Sequence, residues 1–209
     1  MNTLDNMMWR YATKKMDATK KVASEDIKKI KEVIRLAASS YGLQPYKVLE
    51  VSDGNVREQL KPLCWNQTQI TDASHLFIFC NQERVSDSDI DRFVELKAES
   101  AGVKIEQFAG YGDFVKVKLK EKSDSDMFHW TAKQAYIALA GALNACAELR
   151  IDSTPIEGFE PEKVNALLGL TEKGLNACVI LAVGYRAEDD ANQHVTKVRK
   201  PAEEVFEQV

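Results

Sequence analysis

The sequence lacks the loops and elbows that mark several large enzyme classes. Its 209 residues contain no GxGxxG after a strand-like run and no Walker-type loop, which argues against a Rossmann or P-loop nucleotide site. No serine lies in a GxSxG context, which argues against an α/β-hydrolase. The three histidines, His75, His129 and His194, have no metal-ligand spacing, so we expect neither a metal site nor a catalytic histidine.

Cysteine is scarce as well. The four cysteines, Cys64, Cys80, Cys146 and Cys178, are far apart and form no CxxC pair. Cys80 and Cys178 lie in apolar, strand-like runs, where a free cysteine behaves as a small hydrophobic side chain. We therefore predict reduced, buried thiols in a cytoplasmic protein, in preference to disulfides or a metal.

The sequence also has no strong positive charge and no long hydrophobic run. Lys and Arg number 28 against 32 Asp and Glu, and the formal net charge of -4 argues against nucleic acid or an anionic membrane as partner. The longest apolar runs, "AYIALAGAL" and "ACVILAVG", are shorter than the roughly 20 residues that span a bilayer. The start, "MNTLDNMMWR", shows no signal-peptide pattern. Because no Pro/Gly/Ser-rich linker divides the chain, we expect one domain over residues 1–209.

Helical patterns dominate what is present. Isoleucines recur at helical spacing after Ser24, which is placed to cap that helix. Another helix opens with Ser86 and Asp89 at capping-box spacing and stops at Gly102. Residues 126–149 form the strongest helical pattern, and their many small side chains indicate either a core helix or the seam of a dimer.

Three segments have the character of strands: residues 46–51, 75–80 and 176–185. The second and third are continuous apolar runs, which are typical of buried strands. Because helices separate the strands, we predict an α+β fold with a central mixed sheet of about four to five strands wrapped by helices. The polar tail ends in "EEVFEQV", whose apolar alternation suits an added edge strand.

Five short stretches carry the polar and aromatic groups that a binding site needs. They are "RYATKK" (10–15), "SSYGLQP" (39–45), "CWNQTQ" (64–69), "TPIEGFEP" (154–161) and "KVRK" (197–200). Each has an ordinary interpretation: a solvated charge run, a helix stop, a buried aromatic beside a turn, or a loop with a surface acid. The glycine of "PIEGF" would also let the backbone approach a flat ligand closely, since a Cβ would obstruct it.

Taken together, these stretches resemble the FMN-dependent nitroreductases, specifically the NAD(P)H nitroreductase and dihydropteridine reductase branch. "DASH" (72–75), "AKQAY" (132–136), "EKG" (172–174) and "VGY" (183–185) extend the similarity over nearly the whole chain. "PIEGF", placed between a long helix and "EKG", is its most specific part. The resemblance implies a nitroreductase-like fold and a homodimer with an exchanged C-terminal strand, with two FMN molecules at the interface.

The resemblance assigns cofactor roles to residues of this sequence. Arg10 and Lys14 would hold the phosphate, ribityl chain and pyrimidine edge of FMN, and Asn66 would bond the pyrimidine ring. Lys197 and Arg199 would grip the phosphate, which suits an ammonium and a guanidinium group. The complete cofactor set is Arg10, Tyr11, Ala12, Lys14, Ser39, Ser40, Asn66, Gln69, Pro155, Ile156, Glu157, Gly158, Lys197 and Arg199.

Two parts of this set have special roles in the resemblance. The hydroxyls of Ser39 and Ser40 would come from the partner subunit. In "PIEGF", the proline and isoleucine side chains would pack on the flavin ring. The backbone N–H groups of Glu157 and Gly158 would point at the reactive ring nitrogen and the neighbouring carbonyl.

Several positions depart from the family pattern. Ala12 replaces a serine, Gly42 an asparagine and Gln69 a lysine. Loss of that lysine cation should make the flavin harder to reduce. The expected substrate-facing residues are Tyr41, Trp65 and Phe114, which together suggest a narrow, aromatic pocket.

The resemblance implies a ping-pong reaction in which NADH or NADPH gives a hydride and a small electron-poor acceptor then takes its place. Nitroaromatics and quinones are the expected acceptors. Two alternatives remain open from the sequence. One is a flavin-binding or storage protein with little turnover, and the other is a reductase of one dedicated metabolite, such as a pterin or an enone.

Overall fold

Helices surround one four-stranded sheet. The computed structural model describes residues 3–209. The helices are α1 (Thr3–Trp9), α2 (Ser24–Arg35), α3 (Gly54–Leu63), α4 (Gln69–Asp72), α5 (Asp87–Ala101), α6 (Ala109–Lys120), α7 (Asp124–Glu148), α8 (Pro161–Leu168) and α9 (Ala202–Val205). The strands are β1 (Tyr46–Glu50), β2 (His75–Gln82), β3 (Asp152–Ile156) and β4 (Leu175–Gly184). Short 3₁₀ turns lie at Ser40–Gly42, Ile105–Phe108, Thr171–Lys173 and Ala191–His194.

The sheet has the order β1-β2-β4-β3, and every pair of neighbouring strands is antiparallel. The α+β class is confirmed, but the expectation of a mixed sheet is wrong for these strands. A single helix between two strands favours a parallel crossover. Here α3 and α4 connect β1 to β2, and α8 and a 3₁₀ turn connect β3 to β4, yet both pairs are antiparallel, so each connection returns to the end of the sheet that it left.

β3 is the strand that the sequence pattern did not reveal. It lies at an edge of the sheet and contains Pro155, and we had interpreted this stretch as a loop. Edge strands tolerate proline because one side of the strand needs no ladder bond. β3 pairs with β4 through Thr154↔Ala182 and Ile156↔Ile180.

Both faces of the sheet are covered, which explains the continuous apolar runs. Leu76 and Ile78 of β2 point toward α3, α4 and α8, where they meet Leu60. Phe77 and Phe79 point to the other face and pack against α2 and α7. Side chains alternate across a strand, so a strand with helices on both faces is apolar at every position.

Helix ends follow the capping signals with one exception. Ser86 and Asp89 form the predicted capping box of α5, and Gly102 ends that helix in the left-handed conformation with φ 65°. At α2, however, the N-cap is Ala23, which makes no side-chain cap bond, and Ser24 is already the first helical residue.

The small side chains of α7 belong to the core. Ala135, Ala138 and Ala142 are fully buried against the sheet and α2. At Gly141, an added Cβ would lie 3.4 Å from Val33 Cγ1 of α2. Close approach of two helices needs such residues, so the stripe is used within the chain.

The cysteines and the C-terminal tail were also the subject of predictions from the sequence. All four cysteines are free; Cys64, Cys80 and Cys146 are buried, as predicted, whereas Cys178 is only half-buried. The tail does not add a strand within the chain: it forms the short α9, followed by Phe206, which is 76% exposed. In residues 3–209, no helix combines the length and apolar character that crossing a bilayer requires.

Candidate functional site

A cavity of about 550 Å³ opens where the N-terminal segment, β3 and the C-terminal tail meet. It brings together seven of the predicted cofactor residues. They are Arg10, Tyr11, Ala12, Lys14, Pro155, Lys197 and Arg199. Residues from both ends of the chain thus converge on one site, as the resemblance implied.

The cavity is strongly positive. Arg10, Lys14, Lys197 and Arg199 line it, and within residues 3–209 no aspartate or glutamate does. Burial lowers the pKa of the Arg10 guanidinium, and the charge of Arg199 lowers it further. Burial also lowers the pKa of the Lys197 ammonium, and the charges of Arg10 and Arg199 add to that effect. Arg10, Lys197 and Arg199 are thus held together against repulsion, which an anionic ligand would relieve.

One of the lining residues, Arg10, also has a hydrogen-bond donor without an acceptor among the described residues. The buried Arg10 Nε has no acceptor in residues 3–209. Lys197 Nζ donates to the carbonyl of Arg10 at 2.5 Å and to the carbonyl of Met7, neither of which neutralises its charge. A buried donor without an acceptor calls for an explanation, and a ligand with anionic oxygens supplies one.

Asp190 fixes the N-terminal segment that lines the cavity. The carboxylate is buried, and its Oδ2 accepts from the Tyr11 hydroxyl at 2.9 Å and from the Lys14 backbone N–H at 3.0 Å. Burial and this hydrogen bond raise the pKa of Tyr11 to about 12, so the phenol stays a donor. The carboxylate fixes the segment by bonding a phenol and an amide, and the Lys14 ammonium stays in the lining.

A second carboxylate fixes the start of β3. Asp152 accepts from Arg186 Nε at 2.9 Å and Nη2 at 2.6 Å, and Arg186 also stacks on the ring of Tyr11 with its Cζ 4.6 Å from the centroid. Arg186 stacks likewise on Trp9, at 4.7 Å. This arginine is therefore paired, and it supports the aromatic wall from outside the lining.

The outer edge of β3 faces the cavity. Pro155 has no N–H, and the ladder bonds with β4 use its neighbours in the strand. On the outer side, Ser153 bridges Ala12 of the N-terminal segment. The backbone N–H groups of Glu157 and Gly158 donate to no acceptor in residues 3–209. Two free backbone donors therefore follow Pro155 along the chain.

The position of Ile156 differs from the one that we expected. We expected Pro155 and Ile156 both to pack on the ligand, but Ile156 is 2% exposed and lies in the core beside Ile78. Successive strand side chains point to opposite faces, so only Pro155 can line the cavity.

Gly158 lies beneath Trp65. A Cβ at position 158 would come within 2.7 Å of Trp65 Cε3 and 3.2 Å of Gln67 Nε2. Gln67 Nε2 also donates to the Gly158 carbonyl at 2.8 Å. Trp65 is nevertheless 68% exposed, so its outer face is open. Packing within the chain thus requires the glycine, and the close approach of a ligand stays a prediction.

Gln69, which we expected to contact the cofactor, is buried. Its side chain is 3% exposed, and Nε2 donates to the Thr13 carbonyl at 3.1 Å. Gln69 therefore stands behind the segment that carries Arg10 and Lys14 and does not line the cavity.

Asn66 is exposed in the turn beside Trp65, with φ 57°.

Ser39 and Ser40 lie at the 3₁₀ turn after α2 and do not line the cavity of their own chain. Ser39 Oγ accepts from the Gln44 N–H at 2.9 Å, and the Ser40 N–H donates to Gln134 Oε1 at 2.8 Å. Within one chain these serines are apart from the cations, so their cofactor role stays a prediction.

Two of the three expected substrate residues meet. The ring of Tyr41 contacts Phe114 of α6 edge-on, with centroids 6.4 Å apart, and Tyr41 has φ 57°. Phe114 is 49% exposed. The third, Trp65, lies beside Gly158 instead, so the aromatic residues form two separate groups in one chain.

Sequence reasoning missed several residues of the site. Asn192, Gln193, Val195 and Thr196 line the cavity, and Asp190 and Asp152 orient it. Only Asp190 left a signal, because an aspartate two residues before an asparagine is typical of a side-chain cap, here to the Asn192 N–H at 3.1 Å. Within residues 3–209, no group of three or more His, Cys, Asp or Glu side chains is arranged to hold a metal.

Comparison with known proteins defines the class. Residues 7–185 match the Nitroreductase family model. The sequence is 33% identical over 204 residues to the major NAD(P)H-flavin oxidoreductase of Aliivibrio fischeri, covering 94% of each chain. It is 30% identical over 224 residues to the oxygen-insensitive NAD(P)H nitroreductase of Salmonella typhimurium, covering 100% of both. The chain belongs to the nitroreductase family.

The fold agrees with that assignment. A protein from Exiguobacterium sibiricum, described as a nitroreductase and crystallised in complex with FMN, superposes with a TM-score of 0.85 at 17% identity. The match covers 100% of this chain and 98% of the other. The nitroreductase-like fold predicted from the resemblance is therefore confirmed.

The packing at Gly158 makes a testable prediction. Gly158→Ala should displace Trp65 and lower the free energy of unfolding by about 1–3 kcal/mol, as overpacking does. Urea unfolding measures the free energy, and tryptophan fluorescence reports the displacement. In the Trp65→Ala background the same change should cost much less, because the ring that the Cβ meets is gone.

Gly110→Ala is the matched control. Gly110 lies in α6 with no atom within 4 Å of an added Cβ, so alanine should be neutral or stabilising. Equal stability of Gly158→Ala and wild type, with unchanged fluorescence, would contradict the prediction.

Proposed function

We propose that this chain is an FMN-dependent NAD(P)H oxidoreductase that reduces small electron-poor acceptors such as nitroaromatics or quinones. One observation carries the proposal: four cationic side chains and a buried, unpaired Arg10 Nε converge beside a strand end with two free backbone N–H groups. A phosphate-bearing, flat ligand with ring acceptors suits both halves of this site. The names of its family relatives support the same chemistry.

The donor set fits FMN. The phosphate would bind Lys197 and Arg199, and Arg10 would use its unpaired Nε. The ring would lie against Pro155, within reach of the N–H groups of Glu157 and Gly158. When bound, FMN supplies the two-electron hydride chemistry that no protein side chain can provide.

The contribution of the chain is binding, orientation and electrostatics. Positive charge and free N–H donors beside the ring would stabilise the electron-rich form of the cofactor. Trp65, together with Tyr41 and Phe114 from the second copy of the homodimer proposed below, would limit the size of the ligand and exclude water from the ring face. NAD(P)H and the acceptor would use that face in turn.

We also propose that the single domain works as a homodimer in the cytoplasm. β1 is an edge strand, and a groove of about 620 Å³ runs along it, lined by Lys31, Arg35 and Lys47 against one carboxylate, Glu50. The exposed tail at 203–209 carries three glutamates and the apolar residues Val205, Phe206 and Val209. Charge complementarity and an open strand edge support an exchange of tails between two copies. The free, buried thiols suit a reducing compartment.

The visible spectrum of the purified protein tests the function. Under nitrogen we expect a flavin band that bleaches within seconds of adding NADH or NADPH and returns on adding menadione or a nitroaromatic. A flavin band that does not bleach would favour the storage alternative. A chain that neither carries nor takes up FMN would overturn the proposal.

The cation cluster generates a prediction. Lys197→Met and Arg10→Met should each weaken FMN binding by about tenfold or more, since each removes a charge that faces the phosphate. Titration of the apoprotein, followed by quenching of FMN fluorescence, measures the dissociation constant. The wild-type value should rise with salt concentration, because exposed charges are screened.

Lys28→Met is the control for this series. Lys28 forms a surface ion pair with Glu25 on α2, remote from the cavity. Its FMN affinity should equal that of wild type. If Lys197→Met and Arg10→Met also bind FMN like wild type, the cavity is not the phosphate site.

The dimer generates another prediction. Deletion of residues 202–209 should shift the protein from dimer toward monomer in light scattering after size-exclusion chromatography. Replacing Glu203, Glu204 and Glu207 by lysine should have the same effect through repulsion from the groove. Lysine at Glu188, which lies outside the tail, should leave the mass unchanged. A wild-type chain that is monomeric at micromolar concentration would refute the exchange.

A further inference from the structure

A hydrogen bond joins the middle of α7 to the loop that follows β3. The Tyr136 hydroxyl donates to Glu157 Oε1 at 2.5 Å. The Cys178 carbonyl, at 3.5 Å, is a second and more distant acceptor for the same hydroxyl. One hydroxyl proton serves one acceptor well, and the carboxylate is both nearer and charged. Tyr136 therefore holds the Glu157 side chain.

The same loop is held from the opposite side. Gln67 Nε2 donates to the Gly158 carbonyl at 2.8 Å, and the Glu160 N–H donates to the Leu63 carbonyl at 2.9 Å. The free N–H groups of Glu157 and Gly158 lie along the chain between the two anchored groups, the Glu157 carboxylate held by Tyr136 and the Gly158 carbonyl held by Gln67. Fixing the side chain on one flank and the carbonyl on the other fixes the direction of the N–H groups between them.

The Tyr136 anchor persists over the working pH range. Burial raises the pKa of Tyr136, and the hydrogen bond to Glu157 raises it further. The phenol thus stays a donor at any pH at which the enzyme would operate. α7 is also a rigid support, because it runs for 25 residues and packs on the sheet.

We infer that Tyr136 is a positioning residue, which holds Glu157 so that the N–H groups of Glu157 and Gly158 face the flavin ring. The inference rests on the proposed function, and it assigns a role to a tyrosine that lies outside the cation-lined cavity. Its consequence is electronic as well as structural. Well-aimed N–H donors stabilise charge that develops on the ring, so loosening them should make the flavin harder to reduce.

Tyr136→Phe removes the hydroxyl and keeps the ring, so packing should be preserved. We expect FMN to bind the apoprotein about three- to tenfold more weakly, and the midpoint potential of the holoprotein to fall. Glu157→Ala should give the same changes, and the double variant no more than either, since both lose one interaction. Glu157→Gln keeps an acceptor oxygen and should fall between these and wild type.

Thr19→Val is the matched control. Thr19 makes another exposed hydroxyl–carboxylate bond, in which its hydroxyl donates to Asp17 Oδ1 at 2.6 Å, and it lines neither the cation-lined cavity nor the groove along β1. Its loss should leave the FMN dissociation constant and the midpoint potential unchanged. Urea unfolding of every variant separates a change in stability from a change in positioning.

The outcomes distinguish this inference from the proposed function. If wild type binds FMN and both Tyr136→Phe and Glu157→Ala keep its affinity and potential, Tyr136 has no positioning role and only the inference is overturned. Additive effects of the two changes would overturn it as well. If wild type takes up no FMN at all, the proposed function fails, and the inference with it.

Discussion

The site depends on how the segment after α1 is attached to the outer edge of β3. Thr13 is fully buried, and its carbonyl accepts from Thr154 Oγ1 at 2.6 Å and Gln69 Nε2 at 3.1 Å. Its neighbour Ala12 bridges Ser153. These bonds hold one residue of the segment at the strand, and the residues on either side of it then face outward. Without the attachment, Arg10 and Lys14 would be charges on a free end of the chain.

The attached segment carries charge at a cost to stability. Arg10 and Lys197 are desolvated close to each other and to Arg199, and the pKa of each is lowered as a result. A fold selected for stability alone would place a carboxylate between them. Instead Asp190 bonds the Tyr11 hydroxyl and a backbone amide of the same wall. Geometry is fixed in this way while the positive potential is preserved, which is the arrangement that anion binding needs.

Patterns in the sequence predicted the parts of this structure that depend on local physics. The apolar run at 75–80 predicted a buried strand because both of its faces are covered, and the spacing of Ser86 and Asp89 predicted a capped helix. Strand direction could not be predicted in this way, because it depends on the path of each helical connection and not on the apolar pattern of the strand. β3 was not predicted because it contains Pro155. A proline is acceptable in a strand at the edge of a sheet, and the sequence does not show which strand lies at an edge.

For the site, the family resemblance predicted a set of cofactor residues that hydrophobic periodicity could not reveal. In the structure, some of these residues line the cavity and others are buried in the core. Seven of the predicted cofactor residues line one cavity, whereas Gln69 and Ile156 are buried and do not line it. The distinction depends on which way a side chain points, and a one-residue step along a strand reverses that direction. Asp152 left no motif of its own, since it acts through Arg186, a partner distant in sequence.

Gly158 shows how packing and ligand binding can impose the same requirement. We expected a glycine there because a flat ligand would approach the backbone, yet the ring of Trp65 already occupies the space of a Cβ. The loop is therefore restricted by Trp65, by Gln67 and by the anchor on α7 before any ligand arrives. A loop that is ordered in advance loses less conformational entropy on binding. In the proposed function, the contacts that make position 158 intolerant of a side chain would also order the N–H groups of Glu157 and Gly158 before FMN binds.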